Sequence, residues 1–380
     1  MNGRLLQWRA SLFGGKTAGG RSVKMLGEVS SGRDNNYNLI RMVAASSVLF
    51  SHSWPISLGP ETVEPLKKWT GFSLGTIAVF VFFAVSGFFI TKSFDRRDSI
   101  WSFMIARILR IYPALFLVLI LTVLIIGTAF TNMPVTDYFL KGETATYVPF
   151  NLSLIKMQYA LPGVFASNPY GPAINGSLWT LFYEVLCYFG VVALGLCGFL
   201  AKRRFWIFLT AFAMLQAVAL VAPLGTMLTH IAHLSLPFAM GSAFYVYRDR
   251  VPLGGVYAVG LGLAAFISRG SIFQAPMFIL AVSYACFWLG HVRWAGRNAY
   301  NRLGDYSYGM YIYAFPVQQM VVALAPGTSP LSLAATSFPL TLLLAILSWH
   351  LVERPALARR HEAASYLHNL VNRRRMHDLG

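Results

Sequence analysis

Charge is scarce in this chain. Only 12% of its 380 residues are Asp, Glu, Lys or Arg, about half of the share usual in a soluble domain. That shortage excludes an ordinary water-facing surface. Cysteine is scarcer still: Cys187, Cys197 and Cys286 are the only three. An odd number without CxxC spacing argues against a disulfide framework and indicates no metal site, leaving small core residues inside apolar spans. Internal repeats are absent, and with them the inverted symmetry expected of many transporters. A phosphate-binding loop is also missing. The GGKT at Gly14 to Thr17 has Ala10 where the first glycine must stand, and no strand pattern precedes it.

What is abundant is apolar. Hydrophobic residues make up 56% of the chain, in runs close to the roughly 20 residues that cross a bilayer as a helix. Ten spans are read at about 38–56, 73–91, 112–130, 178–199, 205–222, 229–247, 253–269, 271–290, 306–325 and 332–351. The expected fold is an all-α polytopic transmembrane bundle with both termini cytosolic. The net charge of +17 supports that orientation, because 25 of the 31 Lys and Arg fall in alternate connections and the two ends. That is the positive-inside pattern of an even number of spans. Placed this way, the charge speaks for anionic lipid at the inner surface and against a nucleic-acid partner.

Three regions follow: a mobile basic tail over 1–35, a membrane domain over 36–356 and a basic tail over 357–380. The first is read as a cytosolic tail and not a cleaved signal peptide. In the last, Ala364, Leu367, Leu370 and Val371 suit a short helix lying on the inner surface. The longest outer segment, 131–177, is of the length seen in lids and binding elements.

Three polar intrusions carry the chemistry. In NLIRMVAASSVLFSHSW (38–54), Arg41 and His52 stand eleven residues apart, about 16 Å along a helix and within about 20° of one face. Ionisable groups inside a span are candidates for function, and a shared face suggests a polar passage. Glu184, in NGSLWTLFYEVLCYF (175–189), is expected at a depth like that of His52. There it would orient or charge the imidazole, bind a sugar hydroxyl, or sit protonated in the core. Just ahead of the third span, Arg107 and Arg110 are i,i+3 neighbours able to reach one anion, and taken alone they read as a positive-inside anchor. With Lys92, Arg96 and Arg97 they could hold a nucleotide phosphate.

The Arg41–His52 spacing resembles the first-helix signature of the acyltransferase 3 family of integral-membrane acyltransferases. VFFAVSGFFI (81–90), FMIARILRIYP (103–113), NGSLWTLFYE (175–184), YSYGMYIY (306–313) and SWHLVERP (348–355) resemble its later blocks in order. The resemblance covers about 36–356 and implies transfer of an acyl group, commonly acetyl from acetyl-CoA, to a carbohydrate hydroxyl. Family acceptors include O-antigens, exopolysaccharides, Nod factors and antibiotics. It implies a bacterial inner-membrane location, and a saccharide acceptor and polysaccharide-assembly proteins as partners. His52 and Arg41 inherit the required roles, and Arg107 with Arg110 a part in donor binding. Two positions depart from the family pattern. Asn38 stands where many members have Asp, and Phe315 where many have a histidine after the SYG block.

The expected mechanism seats the donor nucleotide on the inner basic rim. Its pantetheine arm, on the order of 15–20 Å, would span the rise from Arg41 to His52 along one continuous wet path. His52, whose unperturbed pKa near 6.5 suits proton removal at neutral pH, would serve as general base or take the acyl group itself. Asn175, Ser177, Trp179, Tyr183, Tyr308 and Gln318 are the expected acceptor contacts, although the aromatics also suit a membrane-interface belt. Glu353 is expected to pair with Arg354 or another inner-surface arginine. The competing function is a transporter or flippase of a lipid-linked saccharide.

Overall fold

The computed structural model describes residues 23–366 apart from 31, 33, 98, 222–224 and 295. Gly14 to Thr17 and the tail positions Leu367, Leu370 and Val371 therefore lie outside the described residues. Ala364 falls in a helical stretch over 360–366.

Each of the ten apolar stretches forms a helix. The first three are α1 (Tyr37–Leu58), α2 (Leu74–Asp95) and α3 (Ile100–Leu121). Two shorter helices, α4 (Val135–Leu140) and α5 (Gly142–Ser153), stand in the connection that follows. The other seven are α6 (Trp179–Leu196), α7 (Phe205–Val221), α8 (Thr226–Val246), α9 (Gly255–Ile267), α10 (Gln274–His291), α11 (Ser307–Leu324) and α12 (Pro330–Ser348). Lys24–Met25 and Pro252–Leu253 make one short antiparallel pair.

Four helices are long and apolar enough to cross a membrane by length and composition: Leu74–Asp95, Ile100–Phe130, Trp179–Leu196 and Pro330–Tyr366. α7 and α9 are apolar but shorter. α1 reaches 22 residues, with Arg41, His52 and several serines interrupting its apolarity. Outward apolar side chains, such as Leu263 and Phe266 on α9 and Leu340 and Leu343 on α12, are exposed. A water-soluble monomer rarely leaves so much apolar surface bare.

α2 is the central helix. Gly87 on α2 lies against the backbone of Phe238 on α8, and Gly241 on α8 lies against the backbone of Ala84. A Cβ at either position would overlap main-chain atoms, so these glycines permit the close approach that lipid-embedded helices use in place of a hydrophobic drive. α1 runs antiparallel to α2, with Tyr37 against Phe89 (ring centroids 4.9 Å) and Ser51 against Gly75. α11 runs parallel to α1, since Arg41 meets Asp305 at one end and Gln318 Nε2 donates to the Leu49 carbonyl farther out.

Two expectations change. α3 starts at Ile100, capped by Ser99 Oγ accepting from the Trp101 N–H, so the helix begins well before the apolar run expected from 112 and carries Arg107 and Arg110, as their i,i+3 spacing implied. Arginine forms helix about as well as leucine, and apolar counting marks the edge of a hydrophobic run, not of the helix. Of the cysteines, Cys286 is buried and Cys187 half-buried, but Cys197 is exposed just past α6, not in the core.

The 131–177 segment is ordered and descends between the helices. The Asn168 side-chain amide donates to Gln319 Oε1 (2.8 Å), and that of Asn175 donates to the Ile312 carbonyl (2.9 Å). α6 therefore begins deep in the bundle, not at its outer rim.

Candidate active site

A cavity of about 790 Å³ opens among the basic residues near the start of α1 and the end of α2. One face of α2 walls it from Lys92 inward to Val79, with Phe82, Ser86 and Phe89 between. Thirteen residues of helix correspond to about 20 Å of depth. Arg41, Lys92, Arg96, Arg107, Arg110 and Arg302 line it against one acid, Glu184, and its inner reaches touch Thr180 and Tyr311.

The cations divide by partner. Asp305 Oδ2 accepts from Arg41 Nη1 at 2.5 Å and from Arg110 Nη2 at 2.6 Å. Arg110 also donates to Glu353 (3.2 Å), and Ser348 Oγ donates to the other Glu353 oxygen. Glu353 thus pairs with an arginine as expected, namely Arg110. The guanidinium of Arg110 lies 5.7 Å from the centroids of both Tyr308 and Trp349. Burial works against the charge of Asp305. Even so, Arg110 and Arg41, with hydrogen bonds from Ser307, hold its carboxyl down at about 2. Asp305 supplies to Arg41 the carboxylate that Asn38 does not.

Arg107 differs from both. Among the described residues it makes no ion pair, and its Nε is buried with no hydrogen-bond partner. Its guanidinium remains available to a ligand in the cavity, and a buried unpaired donor of this kind is uncommon. Lys92 lines the same cavity while donating to the Ser30 carbonyl (2.6 Å). Arg97 does not join them. It bonds the Ser102 carbonyl and hydroxyl (both 2.9 Å), and Arg96 takes the place on the wall.

Glu184 is not beside His52. Its Oε1 accepts from Ser86 Oγ (3.1 Å) and from the Tyr188 hydroxyl (2.5 Å). Ser86 lies eleven residues along α2 from Gly75, and Gly75 faces Ser51, the neighbour of His52. That offset is about 16 Å of helix. The deep start of α6 carries Glu184 inward, so the expected common depth and the expected orienting bond to the imidazole are both absent.

His52 is half-buried, with Nδ1 buried and unpartnered and the ring edge-on to Phe315 at 5.4 Å between centroids. The cavity wall does not include it. The wet path expected to reach His52 stops short in this conformation, for the last α2 residue on the wall, Val79, sits one turn inward of Gly75, about 6 Å.

The expected acceptor contacts scatter. Tyr308 is on the cavity wall, and its hydroxyl donates to the Ile111 carbonyl (2.9 Å). Asn175 is a strut between the 131–177 segment and α11, and it also accepts from the Ser177 N–H. Ser177 is buried with its Oγ unpartnered, while its carbonyl accepts from the Tyr311 hydroxyl (2.8 Å). Gln318 is fully buried, bonding the Leu49 carbonyl and Ser53 Oγ and leaving its Oε1 unpartnered. Trp179 and Tyr183 gather around His230 instead, at ring-centroid distances of 4.6 and 5.8 Å. Sequence reasoning missed Asp305, Ser86 and Tyr188. All three left a signal: Ser86 lies within VFFAVSGFFI, Tyr188 one helical turn after Glu184, and Asp305 directly ahead of the YSYGMYIY block.

A model of the acyltransferase domain matches residues 34–350. The chain is 33% identical to the O-acetyl transferase of Shigella phage Sf6, across 86% of this chain and 97% of that one. It is 29% identical to nodulation protein 10 of Rhizobium leguminosarum bv. viciae, across 88% of this chain and 96% of that one. No solved structure matches.

Proposed function

The chain belongs to the acyltransferase family whose domain covers residues 34–350, and from that membership we propose an integral-membrane O-acyltransferase that moves acetyl from cytosolic acetyl-CoA to a hydroxyl of a cell-envelope or secreted saccharide. The acyltransferase unit runs over 36–356 between basic tails. The ten apolar helices, the shorter α7 and α9 among them, lie in the bacterial inner membrane, with both termini cytosolic. Support for that orientation is the alternation of the 25 basic residues. Support for acetyl as the group and oxygen as the receiver is the activity in the name of the phage relative. The saccharide comes from the family resemblance.

The residues present fit an anionic thioester. The cavity is rimmed by cations, one of them the unpaired Arg107, and its length of about 20 Å suits an extended pantetheine arm. Arg107, Lys92, Arg96 and Arg302 would hold the phosphates, where fixed donors and charge act strongly away from bulk water. Arg110, bound by two carboxylates, serves the wall more than the ligand. Arg41, fixed by Asp305, gives the rim a rigid positive edge.

When bound, the thioester supplies an activated acyl carbonyl; the protein supplies position and a base. His52 takes the proton of the acceptor hydroxyl as the oxygen attacks, a role worth about 10²–10⁴ in rate for such groups. The acceptor approaches from the outer side, where the 131–177 segment bonds α11.

The observation that carries this function is Arg107, which makes no ion pair among the described residues and whose buried Nε has no hydrogen-bond partner, in a cavity that opens on the basic side. The test compares ester content of the envelope polysaccharide, by proton NMR and mass, in cells with and without the gene. Loss of O-acetyl signal in the deletion, restored by the intact gene and not by His52→Ala, is expected. An unchanged ester content overturns the proposal.

A further inference from the structure

One aromatic ring packs against the imidazole a helical turn beyond the cavity wall. On α11, Ser307 and Tyr311 line the cavity, and Phe315 is the next residue on that helical face. Phe315 is 1% exposed and touches His52 on one side and Tyr170 on the other, each at 5.4 Å between ring centroids. Gly176 closes the third side so tightly that a Cβ there would lie 2.7 Å from Phe315 Cε2.

Around that ring the polar bookkeeping is incomplete. His52 Nδ1, Ser177 Oγ and Gln318 Oε1 are all buried with no hydrogen-bond partner. Ser177 follows Gly176, and Gln318 bonds Ser53, the neighbour of His52. Native interiors leave few polar side chains unsatisfied, and three around one ring require an explanation.

We infer that Phe315 is a barrier that closes the donor cavity off from His52, and that when the ring swings aside the reacting acceptor hydroxyl donates to His52 Nδ1 and accepts from Ser177 Oγ, while a neighbouring hydroxyl of the same saccharide donates to Gln318 Oε1. This rests on the proposed acyl transfer and adds to it a reason why the thioester survives without an acceptor. With the ring in place, the imidazole cannot reach the acyl carbonyl, and Glu184, the one acid on the cavity wall, is engaged by Ser86 and Tyr188. With the ring absent, water can stand where the acceptor stands. His52 then takes a proton from water, the oxygen bonds to the acyl carbon, the C–S bond breaks, and the thiolate leaves and is protonated. The products are acetate and the CoA thiol.

The experiment uses the full chain in lipid nanodiscs with acetyl-CoA as the probe and no saccharide, reading thiol release. Phe315→Ala is expected to raise release about tenfold or more over the natural protein, since a closed site is what suppresses hydrolysis of a reactive group. Gly176→Ala, which displaces the ring without removing it, is expected to raise release in the same direction. Acetyl-CoA binding by calorimetry identifies the variants that fold. Release no higher than in the natural protein, from whichever of the two binds acetyl-CoA normally, overturns the barrier. His52→Ala added to the leaking variant is expected to abolish the gain. If the leak persists there, the barrier stands and the assignment of His52 as base falls.

Discussion

Arg41 and Asp305, 264 residues apart in sequence, meet at 2.5 Å at the rim of the cavity, and the same Asp305 oxygen holds Arg110. One carboxylate therefore fixes the arginine of the first-helix signature and one member of the basic pair on α3. The site is closed by a residue that belongs to neither motif.

Asp305→Asn should leave two guanidiniums facing each other with only Glu353 remaining as counter-ion. Removing one member of a buried pair costs about 3–5 kcal/mol. A lower melting temperature in detergent and a fall in transfer rate are expected, and an unchanged melting curve would contradict the network. The acid response follows from the same residue. Its carboxyl is held at about 2 in the folded chain, below the usual value near 3.9. The stabilisation is thus present above about pH 4 and is lost as pH falls towards 2. Melting temperature should drop across that window in the natural protein and less steeply in the Asn variant.

Arg107 makes no ion pair among the described residues, and its Nε has no hydrogen-bond partner. Arg107→Ala should raise KM for acetyl-CoA about tenfold or more, with a smaller change in kcat and no loss of stability. Lys restores the charge but not the planar fork, so Arg107→Lys should recover only part of the affinity. A variant that binds acetyl-CoA normally would remove Arg107 from the donor site.

His52 and Glu184 should separate in kinetics. With no bond between them, Glu184→Gln keeps the hydrogen bonds to Ser86 and Tyr188 and is expected to retain kcat within about threefold. His52→Ala is expected to lose about 10²-fold or more, the range for a missing general base. Equal losses in the two variants would restore the pairing that the structure lacks.

At the crossing of α2 and α8, Gly241→Leu would drive a side chain into the Ala84 backbone. Overpacking of this kind costs about 1–3 kcal/mol. Lower melting temperature with unchanged KM for acetyl-CoA is the expected signature, because the crossing lies behind the cavity wall.

The helices themselves were legible from the chain, because a bilayer demands runs of one composition and length, and each of the ten runs became a helix. Local spacing was equally readable. Arg41 and His52 do share α1, and Arg107 and Arg110 do share a helix. What spacing cannot encode is the depth at which a helix begins. α6 starts deep, where Asn175 bonds the Ile312 carbonyl and Ser177 and Thr180 bond Tyr311, and that depth places Glu184 beside Ser86 and away from His52. Charge pairing was hidden for the same reason. Asp305 becomes the partner of Arg41 and Arg110 only when the parallel run of α1 and α11 brings the two ends together.

Composition and periodicity, which act along the chain, determined which segments are helical and which residues each helix carries. Tertiary packing alone decided which guanidiniums of the cavity stay unpaired among the described residues, which carboxylate enters the cavity, and that Phe315 separates the cavity from the imidazole. These depend on the relative depth and rotation of helices far apart in sequence, set by close contacts between distant residues.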